Sequence, residues 1–208
     1  MNICGDSSTI ELPLFQGDDG GLTPTSPLQL YFKEIEPNTA ALAYSKWHYL
    51  KDTAFISTIN FGAFFNYTLQ GAISFGPTNA TKLKGFFDEE SNRRWMEIKR
   101  LVMSPLCPRN SESRFIAITI KMLRKKFLLD GLVTYADAAQ GHCGTIYKAS
   151  GFTAHGLTAK KLDFMVDGKI QQRGKTRGVN GTWVERSQKW LFVKDYRTTE
   201  TDENIGKN

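Results

Sequence analysis

The chain has 208 residues, 40% hydrophobic and 23% charged, with a net charge of +6 at pH 7. That length and composition place it among soluble globular proteins with one full core, and the basic excess is compatible with a nucleic-acid partner. Cys4, Cys107 and Cys143 stand far apart with no CxxC pair, which argues against a zinc ribbon or a disulfide framework; with no signal-like opening and no apolar run of bilayer length, a reduced cytoplasmic protein without a membrane span is expected.

Residues 1–27 read as a flexible arm in which Gly-rich and Asp-rich stretches bracket one apolar piece, Ile10–Phe15. Leu28–Ile35 is the first expected strand. Pro37-Asn38-Thr39 starts a helix over Ala40–Leu50, capped by Asn38 or Thr39 and ending in Trp47-His48-Tyr49. Phe55–Phe75, rich in β-branched and aromatic residues and interrupted at Asn66-Tyr67, predicts a β-hairpin. After a polar connection, Trp95–Met103 predicts a strand in which Glu97, Lys99 and Arg100 alternate with apolar residues such as Ile98, so that its charged face looks at a cleft. The loop Ser104–Ser113 ends in the capping residues Asn110, Ser111 and Ser113. The helix expected over Arg114–Leu129 sets Ile116, Ile120, Leu123 and Phe127 on one face and Arg114, Lys121 and Lys125 on the other.

Gly131–Phe152 organises the rest. Leu132–Ala136 is an apolar run that predicts a buried strand; Asp137 and the small polar residues Ala138–His142 follow it. A short helix from Gly144-Thr145 carries Tyr147 and stops at Ser150-Gly151. Downstream come a strand over Thr158–Met165, a turn at Asp167-Gly168, Lys169–Arg173, a basic loop Gly174–Gly181, a last strand Trp190–Lys194, and a disordered tail over 198–208. The pattern is α/β (α+β): a mixed central sheet with helices on both faces.

A strand end beside a helix is where such folds bind ligands, which singles out Asp137, His142 and Tyr147. A helix that begins directly after a strand and loop can hold an anion such as a pyrophosphate. Residues 93–126 hold ten Lys or Arg against Glu97 and Glu112, and residues 160–177 hold six against Asp163 and Asp167. Each feature has a plain structural reading beside it: Asp137 and Ser113 as caps, Tyr147 and His48 as satisfied core residues, Arg100 as an ion-pair partner, and the basic runs as solvated faces.

The piece GTIYKASGF resembles the aromatic-glycine end of the GNAT acetyltransferase fold. A longer set resembles the Mom family of bacteriophage DNA-modification proteins: Trp47-His48-Tyr49, Glu97–Leu101, Ser111-Glu112-Ser113, and Tyr135–Ala138 with Gly141–Tyr147, covering about residues 40 to 195. That resemblance implies a single GNAT-like domain over 28–197, which converts adenine in double-stranded phage DNA to N6-carbamoylmethyladenine and so protects it from host restriction. It implies catalytic roles for His48, Tyr49, Arg100, Ser113, Asp137 and Tyr147. One departure stands out. The pyrophosphate loop of acetyltransferases is glycine-rich, whereas Arg109-Asn110-Ser111-Glu112-Ser113-Arg114 has no glycine, leaving Arg109, Asn110, Ser111 and Ser113 as the expected phosphate holders.

The chemistry sets further expectations. An acetyl-CoA donor lacks the amide nitrogen of the product and needs its methyl carbon activated, for instance by iron; His48, Asp137 and His142 are the conceivable ligands. An activated glycine such as glycyl-tRNA supplies every atom. Asp137 is the expected base, Arg100 and Ser113 oxyanion donors, and Tyr147 the acid. Adenine must leave the duplex stack to be reached, and Trp47, Tyr49 or Trp183 can stack on it, with Arg173, Lys175 and Arg177 on phosphates. Two other readings compete: a GNAT-type N-acetyltransferase acting on a small amine or protein, and a non-catalytic DNA-binding module. No methyl-donor loop or Asp-Pro-Pro-Tyr motif supports an adenine methyltransferase.

Overall fold

The structure, a computed structural model, describes residues 23–49, 56–78, 94–171 and 178–197. The arm up to residue 22, the tail over 198–208, and the loop cations Arg173, Lys175 and Arg177 lie outside the described residues. In chain order the elements are β1 (Tyr31–Glu34), α1 (Pro37–Trp47), β2 (Ile59–Phe65), β3 (Thr68–Pro77), β4 (Trp95–Met103), α2 (Ser111–Lys126), β5 (Gly131–Asp137), α3 (Thr145–Ala149), β6 (Thr153–Leu157), β7 (Lys161–Val166), β8 (Lys169–Ile170), β9 (Thr182–Arg186) and β10 (Lys189–Asp195). The main sheet has the strand order β1-β2-β3-β4-β5-β10-β6; β4 and β5 are parallel, whereas β1–β2, β2–β3, β5–β10 and β10–β6 are antiparallel. A second, three-stranded antiparallel sheet is ordered β8-β7-β9. This is the mixed α+β class that the sequence predicts.

The chain divides into two compact units, residues 1–75 with 99–120, and residues 76–98 with 121–208. In the first, Pro37 opens α1 at a position where its missing N–H costs nothing and its fixed φ suits a helix. The cap is Glu36, without a side-chain bond, so Asn38 and Thr39 lie inside the first turn rather than capping it. Ala40, Ala43, Tyr44 and Trp47 recur at helical spacing and pack with Phe64, Leu69 and Ala72. The hairpin turns at Asn66 and Tyr67, whose φ values of 45° and 65° are the left-handed geometry a two-residue connection needs. Phe115 and Ile116 of α2 are fully buried, and the Phe115 ring stacks on Phe32 at 5.0 Å.

In the second unit, β5 lies between β4 and β10 and reads as a nearly continuous apolar run because its faces are covered. Its parallel ladder with β4 joins Trp95–Glu97 to Gly131–Val133, and its antiparallel ladder with β10 runs from Gly131↔Asp195 to Asp137↔Lys189. Trp95, Val133, Leu191 and Val193 form the core there, with Tyr135 packed on it. Two strands escape the sequence reading. β6, Thr153–Leu157, is the last strand of its sheet, is mostly exposed and carries Gly156 at φ 89°. β9 is also mostly exposed. Neither has the apolar alternation that marks a half-buried strand. The strand expected over Thr158–Met165 begins at Lys161, and β8 is two residues long.

Gly131 is required by packing, since a Cβ there collides with the Trp95 indole. Gly131→Ala is expected to destabilise the protein by about 1–3 kcal/mol, the usual cost of overpacking, measured as a lowered urea midpoint.

Candidate active site

Asp137 ends β5 and caps the 3-10 turn Ala138–Gln140. Its Oδ1 accepts the Ala139 N–H at 3.0 Å and its Oδ2 accepts the Ser187 hydroxyl at 3.1 Å. The structural reading of Asp137 as a cap is therefore real, yet two hydrogen bonds leave a carboxylate with further acceptor positions. The His142 N–H donates to the Asp137 carbonyl at 3.3 Å, so the loop folds back on the acid. Gly141 and Gly144 make this possible with φ of 70° and 72°; at Gly144 a Cβ also strikes the Phe192 ring.

Tyr147 follows on α3, 9% exposed, with its ring 5.5 Å from Phe192 and 6.0 Å from Phe152. The helix is closed by the Ser150 hydroxyl, which donates to the Ile146 carbonyl at 2.8 Å, and by the Lys194 ammonium, which donates to the Ser150 carbonyl at 2.6 Å. Burial, then repulsion from Arg124, pushes Lys194 below the usual lysine range. Cys143, exposed, has its Sγ 3.1 Å from the Thr145 hydroxyl, and hydrogen bonding from Thr145 lowers its thiol pKa. Ser187 is a residue that sequence reasoning missed. It lies just after β9 in an undistinguished Arg186-Ser187-Gln188 stretch, and only the folded β9–β10 connection brings it to Asp137.

The other candidates lie in the first unit. His48 is buried, and its ring stacks on Tyr49 at 4.5 Å and meets Tyr44 edge-on at 6.1 Å. Tyr44 is the second missed residue, placed one helical turn before His48. The Ser74 hydroxyl donates to Asn60 Oδ1 at 2.5 Å, which leaves the Tyr44 hydroxyl as donor to Ser74 at 2.7 Å. Burial, opposed in part by that hydrogen bond, holds the Tyr44 phenol well above the usual tyrosine range, so it stays a neutral donor. Trp47 is half-buried on the α1 core with the Lys46 ammonium 5.5 Å from its ring centroid, and Tyr49 is 43% exposed. The Arg100 guanidinium donates to the Lys99 carbonyl at 3.0 Å.

In the first turn of α2, which begins three residues before the expected Arg114, the buried Ser111 hydroxyl donates to the Pro108 carbonyl at 2.7 Å and the Ser113 hydroxyl to the Asn110 carbonyl at 3.1 Å. Both hydroxyls thus shape the turn, which Asn110 enters at φ 70°. Exposed Arg109 and Asn110 stand at the positive end of a 16-residue helix, where an anionic group is favoured. Cys107 is pushed up to about 12 by burial and by Glu112, and Tyr135 to about 12 by burial and Glu97. Among the described residues no three His, Cys, Asp or Glu side chains gather to hold a metal ion, so His48, Asp137 and His142 do not form such a group.

Residues 29–202 match the family described as the Mom protein family. The methylcarbamoylase Mom of Escherichia phage Mu is 30% identical over 141 residues, covering 64% of this chain and 58% of that protein's length. Among solved structures, 80% of the chain superposes on 99% of an IAA acetyltransferase from Bacillus cereus with a TM-score of 0.52 at 8% identity. It also superposes on 97% of a Bacillus subtilis acetyltransferase in complex with CoA, with a TM-score of 0.50 at 13% identity. These likenesses establish a GNAT-like fold.

The two described thiols differ in burial and in the direction of their pKa shifts. Between pH 7 and about 8.5, the model-peptide value for a thiol, iodoacetamide is expected to label Cys143 first and Cys107 at least about tenfold more slowly, as read by peptide mass spectrometry.

Proposed function

The chain belongs to the Mom protein family, and we propose that it modifies DNA, converting adenine in duplex DNA to N6-carbamoylmethyladenine. One observation carries this: the family match spans residues 29–202 and so takes in His48, Tyr49, Arg100, Ser113, Asp137 and Tyr147. The basic excess of the chain supports a polyanionic substrate. No described helix is long and apolar enough to cross a membrane.

Asp137 is the base that takes the proton from adenine N6, a poor nucleophile. Ser187 and the Ala139 amide hold its carboxylate in one orientation while it does so. Tyr147, on the helix that follows the Asp137 loop, returns a proton to the leaving group.

The donor we propose is an activated glycine, such as glycyl-tRNA. N6 attacks its carbonyl carbon, the ester bond breaks, the alcohol leaves with the proton taken from N6, and the adenine carries N6–CO–CH2–NH2. The free amine then attacks C6 through a five-membered ring and the original C6–N6 bond breaks. The result is C6–NH–CH2–CO–NH2, an isomer of the first product, with no oxidation. An acetyl-CoA donor requires both an oxidant and a separate nitrogen. The GNAT-like fold keeps a second reading in view, an N-acetyltransferase acting on a small amine or protein.

Nucleosides from plasmid DNA of cells expressing the protein are expected to include a deoxyadenosine heavier by one C2H3NO unit, and labelled glycine is expected to enter it. Asp137→Asn should retain DNA binding and lose modification at least about 100-fold, the lower range for a general base. Unmodified deoxyadenosine from cells holding folded protein removes this reading in favour of the acetyltransferase; a modified base free of glycine label removes only the donor.

A further inference from the structure

The β7–β9 sheet displays large apolar side chains to solvent. Trp183 is 59% exposed and Leu162 56% exposed. The register pairs Phe164 with Trp183, Leu162 with Glu185 and Val166 with Lys169, which puts Leu162, Phe164, Val166, Trp183, Glu185 and Lys169 on one face. Phe164 is buried and braces the Trp183 ring at a centroid distance of 5.1 Å and 57°, so the indole is held out rather than folded down.

The same stretch holds most of the charge of the chain. Residues 160–189 contain eight Lys or Arg against Asp163, Asp167 and Glu185, which is +5 of the total +6. Two of those acids are already engaged. Asp163 takes a bidentate bond from the Arg186 guanidinium, and Glu185 meets the Lys160 ammonium at 3.4 Å. Exposed Lys169 shares the face of Trp183, whereas Lys161, paired with Arg186, lies on the opposite face. A braced aromatic in a basic segment is what nucleic acid needs, since bases stack on the ring and phosphates take the charge. A second copy of this chain is disfavoured there, because two such segments repel.

We propose that the β7–β9 sheet is the DNA-docking surface, with Trp183 stacking on the bases that flank the extruded adenine; this rests on the DNA-modification reading above. The reach fits that role. From Trp183 to Ser187 is four residues, about 13 Å at strand rise, and Ser187 is bonded to the Asp137 carboxylate. Trp183 therefore holds the duplex rather than the target base.

The test is equilibrium binding of a short mixed-sequence duplex across a salt series. Trp183→Ala is expected to weaken binding about 5- to 150-fold, the range for losing one stacked base, with the salt slope unchanged. Trp183→Phe should recover most of that loss, which separates stacking from misfolding. Lys169→Ala should flatten the slope by about 0.9, the value for one phosphate, and Lys161→Ala, on the opposite face, should leave it unchanged. Trp183→Ala binding within twofold of wild type overturns the surface, as does loss of self-association in Trp183→Ala with DNA binding intact, which assigns the face to a second copy. Wild-type protein that neither binds duplex nor adds C2H3NO overturns instead the reading on which this surface rests.

Discussion

The ladder between β5 and β10 is the constraint on which the second unit depends. It pairs every residue of β5 from Gly131 to Asp137, and at its far end sets Lys189 opposite Asp137. Because the connection from β9 enters β10 at that same end, the ladder delivers Ser187 to the carboxylate and the Gln188 carbonyl to the Ala138 N–H. β10 also carries Phe192, whose ring requires glycine at 144, and Lys194, which holds the C-terminus of α3. A single strand thus positions the acid, the turn behind it and the helix bearing Tyr147. A slip of one residue would invert every side chain of β10 and lose all of these contacts together.

Legibility followed burial. β4 and the Leu132–Ala136 core of β5 could be read because covered strands must be apolar or strictly alternating. α2 could be read because Ile116, Ile120 and Leu123 mark a buried stripe. β6 and β9 could not, since exposed strands are stabilised by backbone ladders that leave little trace in side-chain type. The candidate residues divide in the same way. Asp137, His142 and Tyr147 were legible as a strand end and a short helix next to each other in sequence. Ser187 is fifty residues from its partner and Tyr44 thirty from Ser74, and a pairing over that distance exists only once the ladders form.

The glycine-free loop before α2 has a physical explanation that narrows what it can bind. Glycines in such a loop turn backbone amides toward an anion without a Cβ in the way. Here the same turn is made by Asn110 in the left-handed region, and the Ser111 and Ser113 hydroxyls satisfy the carbonyls of Pro108 and Asn110. The turn is thus closed on itself, with Arg109 and Asn110 as the outward polar groups. A pyrophosphate clasped by many amides is a poorer match than a single anionic group met by one guanidinium at a helix end. That is a reason to look at donors other than coenzyme A, apart from the atom count of the product.

The small sheet raises the question of why an exposed indole is retained at all. Three short strands bury little, and such a sheet is marginal on its own. Its stability draws on the Asp163–Arg186 pair and on Phe164 packed beneath Trp183, so the contacts that steady the sheet also fix the indole outward. Were the tryptophan there only for packing, burying its ring would stabilise the sheet more than exposing it. Instead Trp183 lies beside buried Phe164 on the side that also carries Leu162, Glu185 and Lys169, with Trp183 and Leu162 left exposed. Apolar side chains kept exposed in a basic segment are unfavourable in the free protein and are relieved by a ligand that brings both flat rings and negative charge. Nucleic acid supplies both within one spacing, which ties the surface of the second unit to the chemistry proposed at Asp137.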